Sequence, residues 1–181
     1  MAKMTSLLVF KRASLWRSAV AALALAQGVA WAVPSGAPAP DCALQLSDQG
    51  SSTLAALRGQ VIYLDFWASW CGPCALSFPF MNSLESAYRT RGLRVVAVNM
   101  DERPEDAQRF LQRRPASFAI AQGDNTSCAR IFGVPGMPST YLIDRHGMVR
   151  HVHSGFRRGD AETLRAEVEA LLAEPARGTQ P

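Results

Sequence analysis

The stretch that most constrains what this chain can fold into is Trp70-Cys71-Gly72-Pro73-Cys74, which follows the apolar run Val61-Ile62-Tyr63-Leu64-Asp65-Phe66-Trp67. A short, nearly continuous apolar run closed by small residues reads as a strand buried on both faces. The residues after it read as an amphipathic helix, with Leu76, Phe80, Leu84 and Tyr88 recurring every four positions. Two cysteines three apart at a strand-to-helix junction can close a small disulfide and open it again. Cys71 falls where the helix begins, so unpaired N–H groups and the positive end of the helix dipole favour its thiolate. Pro73 suits a first turn that needs no N–H from it. The thiolate is the species that attacks another disulfide, so this arrangement predicts a redox catalyst with Cys71 and Cys74 as its redox-active disulfide.

A C-x-x-C is also half of a zinc site, but a structural zinc needs about four ligands. Cys42 and Cys128 each stand alone, and His146, His151 and His153 fall in one late segment. No metal and no other cofactor is expected. Asp65 is the one charge in the buried run, where desolvation raises a carboxyl's pKa and marks it as a candidate functional acid. An acid at a strand edge, paired with solvent or an Arg, is the plainer alternative.

The rest of the chain gives an α/β order. Strands are predicted over Ala43–Leu46, Val61–Phe66, Leu93–Asn99, Phe118–Ile120, Ser139–Ile143 and Met148–Val152, with Asp48-Gln49-Gly50 as a turn. Helices are predicted over Pro73–Arg89, where Pro79 should introduce a kink, and over Glu105–Gln112 and Ala161–Leu172, the last with Asp160 as N-cap. Asp144-Arg145-His146-Gly147 reads as a hairpin turn between two strands.

Residues 1–32 read as an export signal. Lys3, Lys11, Arg12 and Arg17 form a basic start, Ser18 to Val29 a mostly apolar middle, and Ala30-Trp31-Ala32 a small-x-small cleavage pattern. An uncleaved anchor facing the periplasm is the alternative, because the apolar stretch borders on spanning length. Only in that case is contact with the membrane expected. Of the 19 Lys and Arg, four lie in residues 1–32, leaving 15 Arg, and no lysine, against 15 Asp and Glu. The remaining chain is formally neutral, so its charge offers nothing to a nucleic acid. Residues 33–41, with Pro34, Pro38 and Pro40, read as a flexible lead-in; 42–173 as one domain; 174–181 as a frayed tail.

Asp65-Phe66-Trp67-Ala68-Ser69-Trp70-Cys71-Gly72-Pro73-Cys74 resembles the thioredoxin signature. Together with Gly133-Val134-Pro135-Gly136-Met137-Pro138-Ser139-Thr140-Tyr141-Leu142-Ile143-Asp144, it resembles the exported TlpA-like (ResA/CcmG-like) thiol-disulfide reductases of the thioredoxin superfamily. The resemblance runs from about Ala43 to Leu172. It implies a thioredoxin fold, a central mixed β-sheet flanked by helices, here with a short N-terminal β extension. It implies Cys71 as nucleophile, Cys74 as resolving thiol and Asp65 as the acid that deprotonates Cys74. It also implies Pro138 as a cis-proline beside the cysteine pair, with Met137 and Trp70 contacting client protein. Ser77 stands where some members carry a glutamate, so any relay through that glutamate is absent. The implied partners are client proteins with disulfides or cysteine pairs, as in cytochrome c or copper-site maturation, and a membrane electron donor of the DsbD/CcdA type.

Two other functions stay in view. One is a disulfide-forming oxidase of the same fold, against which Gly72-Pro73 and Asp65 speak. The other is a copper-binding metallochaperone module, since soft thiolates select Cu(I). Cys42 and Cys128 read either as a second, structural disulfide, as an even cysteine count in an oxidising compartment favours, or as two buried thiols. His151 and His153 alternate along a strand and share a face, which suits a polar strand surface better than a metal pair.

Overall fold

The computed structural model describes residues 32–122 and 126–175. The signal-peptide reading of the N-terminus therefore falls outside the described residues, save Ala32. Seven strands form one sheet: β1 (Ala43–Leu46), β2 (Gly50–Thr53), β3 (Val61–Trp67), β4 (Leu93–Asn99), β5 (Ala119–Gln122), β6 (Ser139–Ile143) and β7 (Val149–Ser154), in the order β2-β1-β5-β4-β3-β6-β7. Strands β3, β4 and β5 run parallel, while β1, β2, β6 and β7 join by antiparallel pairs. Four helices cover the faces: α1 (Gly72–Tyr88), α2 (Pro104–Arg113), α3 (Thr126–Phe132) and α4 (Asp160–Ala173). This mixed sheet flanked by helices, with the β1–β2 hairpin as N-terminal extension, is the thioredoxin fold.

Strand β3 shows why its seven residues are nearly all apolar. Every one of them is buried. Val61, Tyr63 and Trp67 pack into the core under α1, α2 and α4, whereas Ile62, Leu64 and Phe66 enter the second core with Phe132 of α3. Period-two alternation assigns the odd positions, Asp65 among them, to the first of these faces.

Four details depart from the sequence pattern, each for a local reason. Strand β2, Gly-Ser-Ser-Thr, has no buried side chain and lies on the sheet edge paired only with β1, so it carries no apolar alternation to read. Leu76 is 48 % exposed, whereas Phe80, Leu84 and Tyr88 are buried together with Cys74, Phe78 and Met81, because a strict four-residue spacing drifts off a 3.6-residue helix. Asp160 is the first residue of α4, not its cap, and its Oδ2 accepts the Arg157 N–H instead.

The fourth concerns the lead-in, whose backbone makes hydrogen bonds to the start of β7 and to the turn before it. The Gly36 N–H donates to the Val149 carbonyl at 2.7 Å, the Val149 N–H to Ala37 at 2.9 Å and the Ala39 N–H to Gly147 at 2.8 Å. Residues between the prolines thereby cover the outer edge of β7, whose unpaired backbone groups would otherwise face water. At the other end, Glu174 is likewise held: its Oε2 accepts from Arg150 and its carbonyl from Arg145. The Arg145 guanidinium also donates to the Leu171 and Leu172 carbonyls, satisfying the last turn of α4.

Candidate active site

Cys71 and Cys74 are joined in a disulfide, with their Cα atoms 5.3 Å apart. Cys71 is the N-cap of α1, and its Sγ accepts the Cys74 N–H at 3.2 Å, one of the orphan donors of the first helical turn. The same arrangement would stabilise a thiolate at Cys71 once the bond is reduced. Cys74 is wholly buried and Cys71 nearly so, at 5 % exposure, while the adjoining Trp70 is 72 % exposed.

The loop that carries Trp70 is clamped from β4. Asp101, just past the strand end, accepts the Ser69 N–H at 3.0 Å and the Ser69 hydroxyl at 2.9 Å, and is itself held by the Asn99 side chain at 2.8 Å. The Met100 N–H donates to the Trp67 carbonyl at 2.8 Å. Asp101 was not legible as a site residue; the one signal for it was its place after β4, which parallel pairing sets beside the end of β3.

Antiparallel pairing of β3 with β6 (Phe66 opposite Ser139) brings the segment before β6 to the same sheet end as the cysteines. There the Met137–Pro138 peptide bond is cis, and Met137 packs against both cores, including the one that holds Cys71 and Cys74. The Ser139 hydroxyl donates to the Gly136 carbonyl at 2.7 Å and the Gly155 N–H to the Pro138 carbonyl at 2.7 Å, tying this loop down from both sides.

Asp65 is fully buried in β3, six residues before Cys71 and on the face turned to α1. Its Oδ1 accepts the Thr140 hydroxyl at 2.7 Å, while Oδ2 has no hydrogen-bond partner among the described residues. Burial lifts its carboxyl from an ordinary 3.8 to about 7, with the Thr140 bond working in the opposite sense. The neighbouring Tyr63 phenol is raised too, first by burial and then by the Asp65 charge. Thr140 was missed in the sequence because register, not spacing, brings it to Asp65, whereas Tyr63 shares Asp65's face two positions earlier on β3.

Cys42 and Cys128 are also joined, across 86 positions, between the start of β1 and α3. Both sulfurs sit in the core of the opposite sheet face from Cys74. His151 and His153 both meet Glu167 of α4, at 3.2 Å and 2.6 Å. Among the described residues no group of three or more His, Cys, Asp or Glu is arranged to hold a metal.

A thioredoxin fold with a C-x-x-C disulfide at the start of α1 and a buried acid behind it defines a thiol-disulfide exchange protein. Comparison with known proteins agrees. Residues 34–172 match the Redoxin family, and the chain belongs to that family within the TlpA/ResA-like part of the thioredoxin superfamily. It is 33 % identical over 124 residues to the thiol-disulfide oxidoreductase ResA of Geobacillus thermodenitrificans, covering 68 % of this chain and 71 % of that protein. ResA of Halalkalibacterium halodurans is 31 % identical over 142 residues, 78 % of this chain and 79 % of the relative. Among solved structures, a thiol:disulfide interchange protein DsbE from Chlorobium tepidum superposes with a TM-score of 0.74 at 45 % identity, over 78 % of this chain and all of the other. The protein is a thiol-disulfide oxidoreductase.

Proposed function

We propose that the protein works as a periplasmic reductant of disulfides in exported client proteins, with Cys71 as nucleophile and Cys74 as resolving thiol. The observation that carries this reading is the placement of the pair: Cys71 caps the helix start beside an exposed indole, and Cys74 lies one turn further into α1, wholly buried. Reduced Cys71, as thiolate, attacks a client disulfide; a mixed disulfide forms and one client thiolate leaves. Asp65 takes the proton of Cys74, whose sulfur then attacks Cys71 and releases the second client thiol. The client gains two electrons and the protein is left with the Cys71–Cys74 bond. A membrane dithiol donor of the DsbD/CcdA type returns the electrons. Trp70, Met137 and Pro138 form the client contact, and apocytochrome c or an assembling copper site is the client class implied by the resemblance to the exported TlpA-like reductases.

Trapping tests the assignment of roles. A reduced Cys74→Ser variant is expected to accumulate a client mixed disulfide through Cys71, resolvable by added dithiol and absent from Cys71→Ser. Adducts that form through Cys74 alone would reverse the roles.

A further inference from the structure

We infer that Thr140 is a positioning residue for the proton transfer at Asp65: its hydroxyl fixes one carboxyl oxygen and leaves the other to exchange the proton. The inference rests on the proposed role of Asp65. Strand pairing sets Thr140 directly opposite Asp65, and both are buried. A threonine hydroxyl has one proton. That proton is given to Asp65 Oδ1 at 2.7 Å, while the Tyr63 hydroxyl stands 3.5 Å from the same Thr140 oxygen. The Thr140 hydroxyl thus fixes one oxygen of the carboxylate. The other oxygen, Oδ2, has no partner among the described residues. A carboxylate held in this way cannot rotate without losing its single hydrogen bond, so Oδ2 is kept as the site of protonation.

The surroundings offer nothing else for that task. On β4 the residue paired with Asp65 is Ala97. The titratable groups on this face are Tyr63 on the same strand, Cys74 and Tyr88 from α1, His151 and His153 on β7, and Glu167 of α4. His153 is engaged by Glu167 at 2.6 Å, and among the described residues no arginine bonds to Asp65. A buried hydroxyl is itself costly unless bonded, so an apolar β-branched residue would suit the strand better at this position if packing alone mattered. Thr140 favours the ionised form of Asp65 by donating to it, which keeps the acid able to act as a base near neutral pH.

The test is a carbon NMR titration of the Asp65 carboxyl in the oxidised protein, with Asp65→Asn identifying the resonance, beside the pH profile of client disulfide reduction. Thr140→Val keeps the shape and removes the hydroxyl. It is expected to move the Asp65 midpoint up by about one pH unit, lower the rate near pH 7 about fivefold, and leave the alkaline plateau in place. Thr140→Ser is expected to restore both, which a purely structural role would not require. If Thr140→Val fails to fold, Thr140→Ala carries the same expectation. A midpoint unmoved by loss of the hydroxyl overturns the inference. A wild-type midpoint in the ordinary carboxylate range, or an Asp65→Asn profile equal to wild type, instead overturns the proposed role of Asp65 and takes this inference with it.

Discussion

Asp65 is kept in the core at a cost to stability, and the cost has a definite pH dependence. Its carboxyl is raised to about 7 in the fold against an ordinary 3.8 when the chain is unfolded. Below the lower value both states are protonated and nothing is lost. As pH rises the unfolded chain ionises first, so folding stability falls progressively until the folded carboxyl also ionises, and the full penalty stands above that. Asp65→Asn is therefore expected to be more stable than wild type at pH 8 by roughly 2–4 kcal/mol and nearly equal to it at pH 4, as read by urea unfolding of the oxidised proteins. A gap that is the same at both pH values would contradict the burial argument. The acid itself was legible in the sequence, since a lone carboxylate in an apolar run has few innocent explanations. Its partner Thr140 was not, because a side chain 75 positions away reaches Asp65 only through the register of β3 on β6.

At the scale of elements, the site is a junction held from three directions. Strand β3 delivers Cys71 to the start of α1, Asp101 after β4 clamps the intervening loop through Ser69, and β6 brings the Met137–Pro138 segment alongside. The first of these was written in the sequence as a change of period from strand to helix. The second and third depend on neighbours in the sheet, which a one-dimensional pattern does not order. Element α3 is tied to β1 by Cys42–Cys128, and the chain leaves α3 directly into Gly133 and the loop that ends at Pro138. Closing a loop of 86 residues is expected to stabilise by about 2–4 kcal/mol through the unfolded chain. The Cys42→Ala/Cys128→Ala double variant should lose about that much in urea unfolding while retaining disulfide reductase activity, since neither sulfur shares a core with Cys74. Loss of activity without loss of stability would mean that this bond serves the chemistry.

At the scale of the whole molecule, the fold was readable because its central strands are buried on both faces and so nearly all apolar. The margins were not. Edge strand β2 has no core side, and the proline-rich lead-in pairs with β7 through backbone groups that leave no mark in the side chains. With 15 Arg against 15 acidic residues beyond residue 32, that part of the chain has no formal net charge. Beside the cysteine pair, Trp70 stands exposed. The direction of electron flow is set by the stability of the Cys71–Cys74 bond relative to its thiols. The reduction potential of that couple, measured by thiol trapping against a glutathione series, tests the proposed reductase most directly. A value at or below about −220 mV, toward the thioredoxin end of the scale, is expected; one near −120 mV, about that of a strong disulfide donor, would contradict it and make the protein an oxidase.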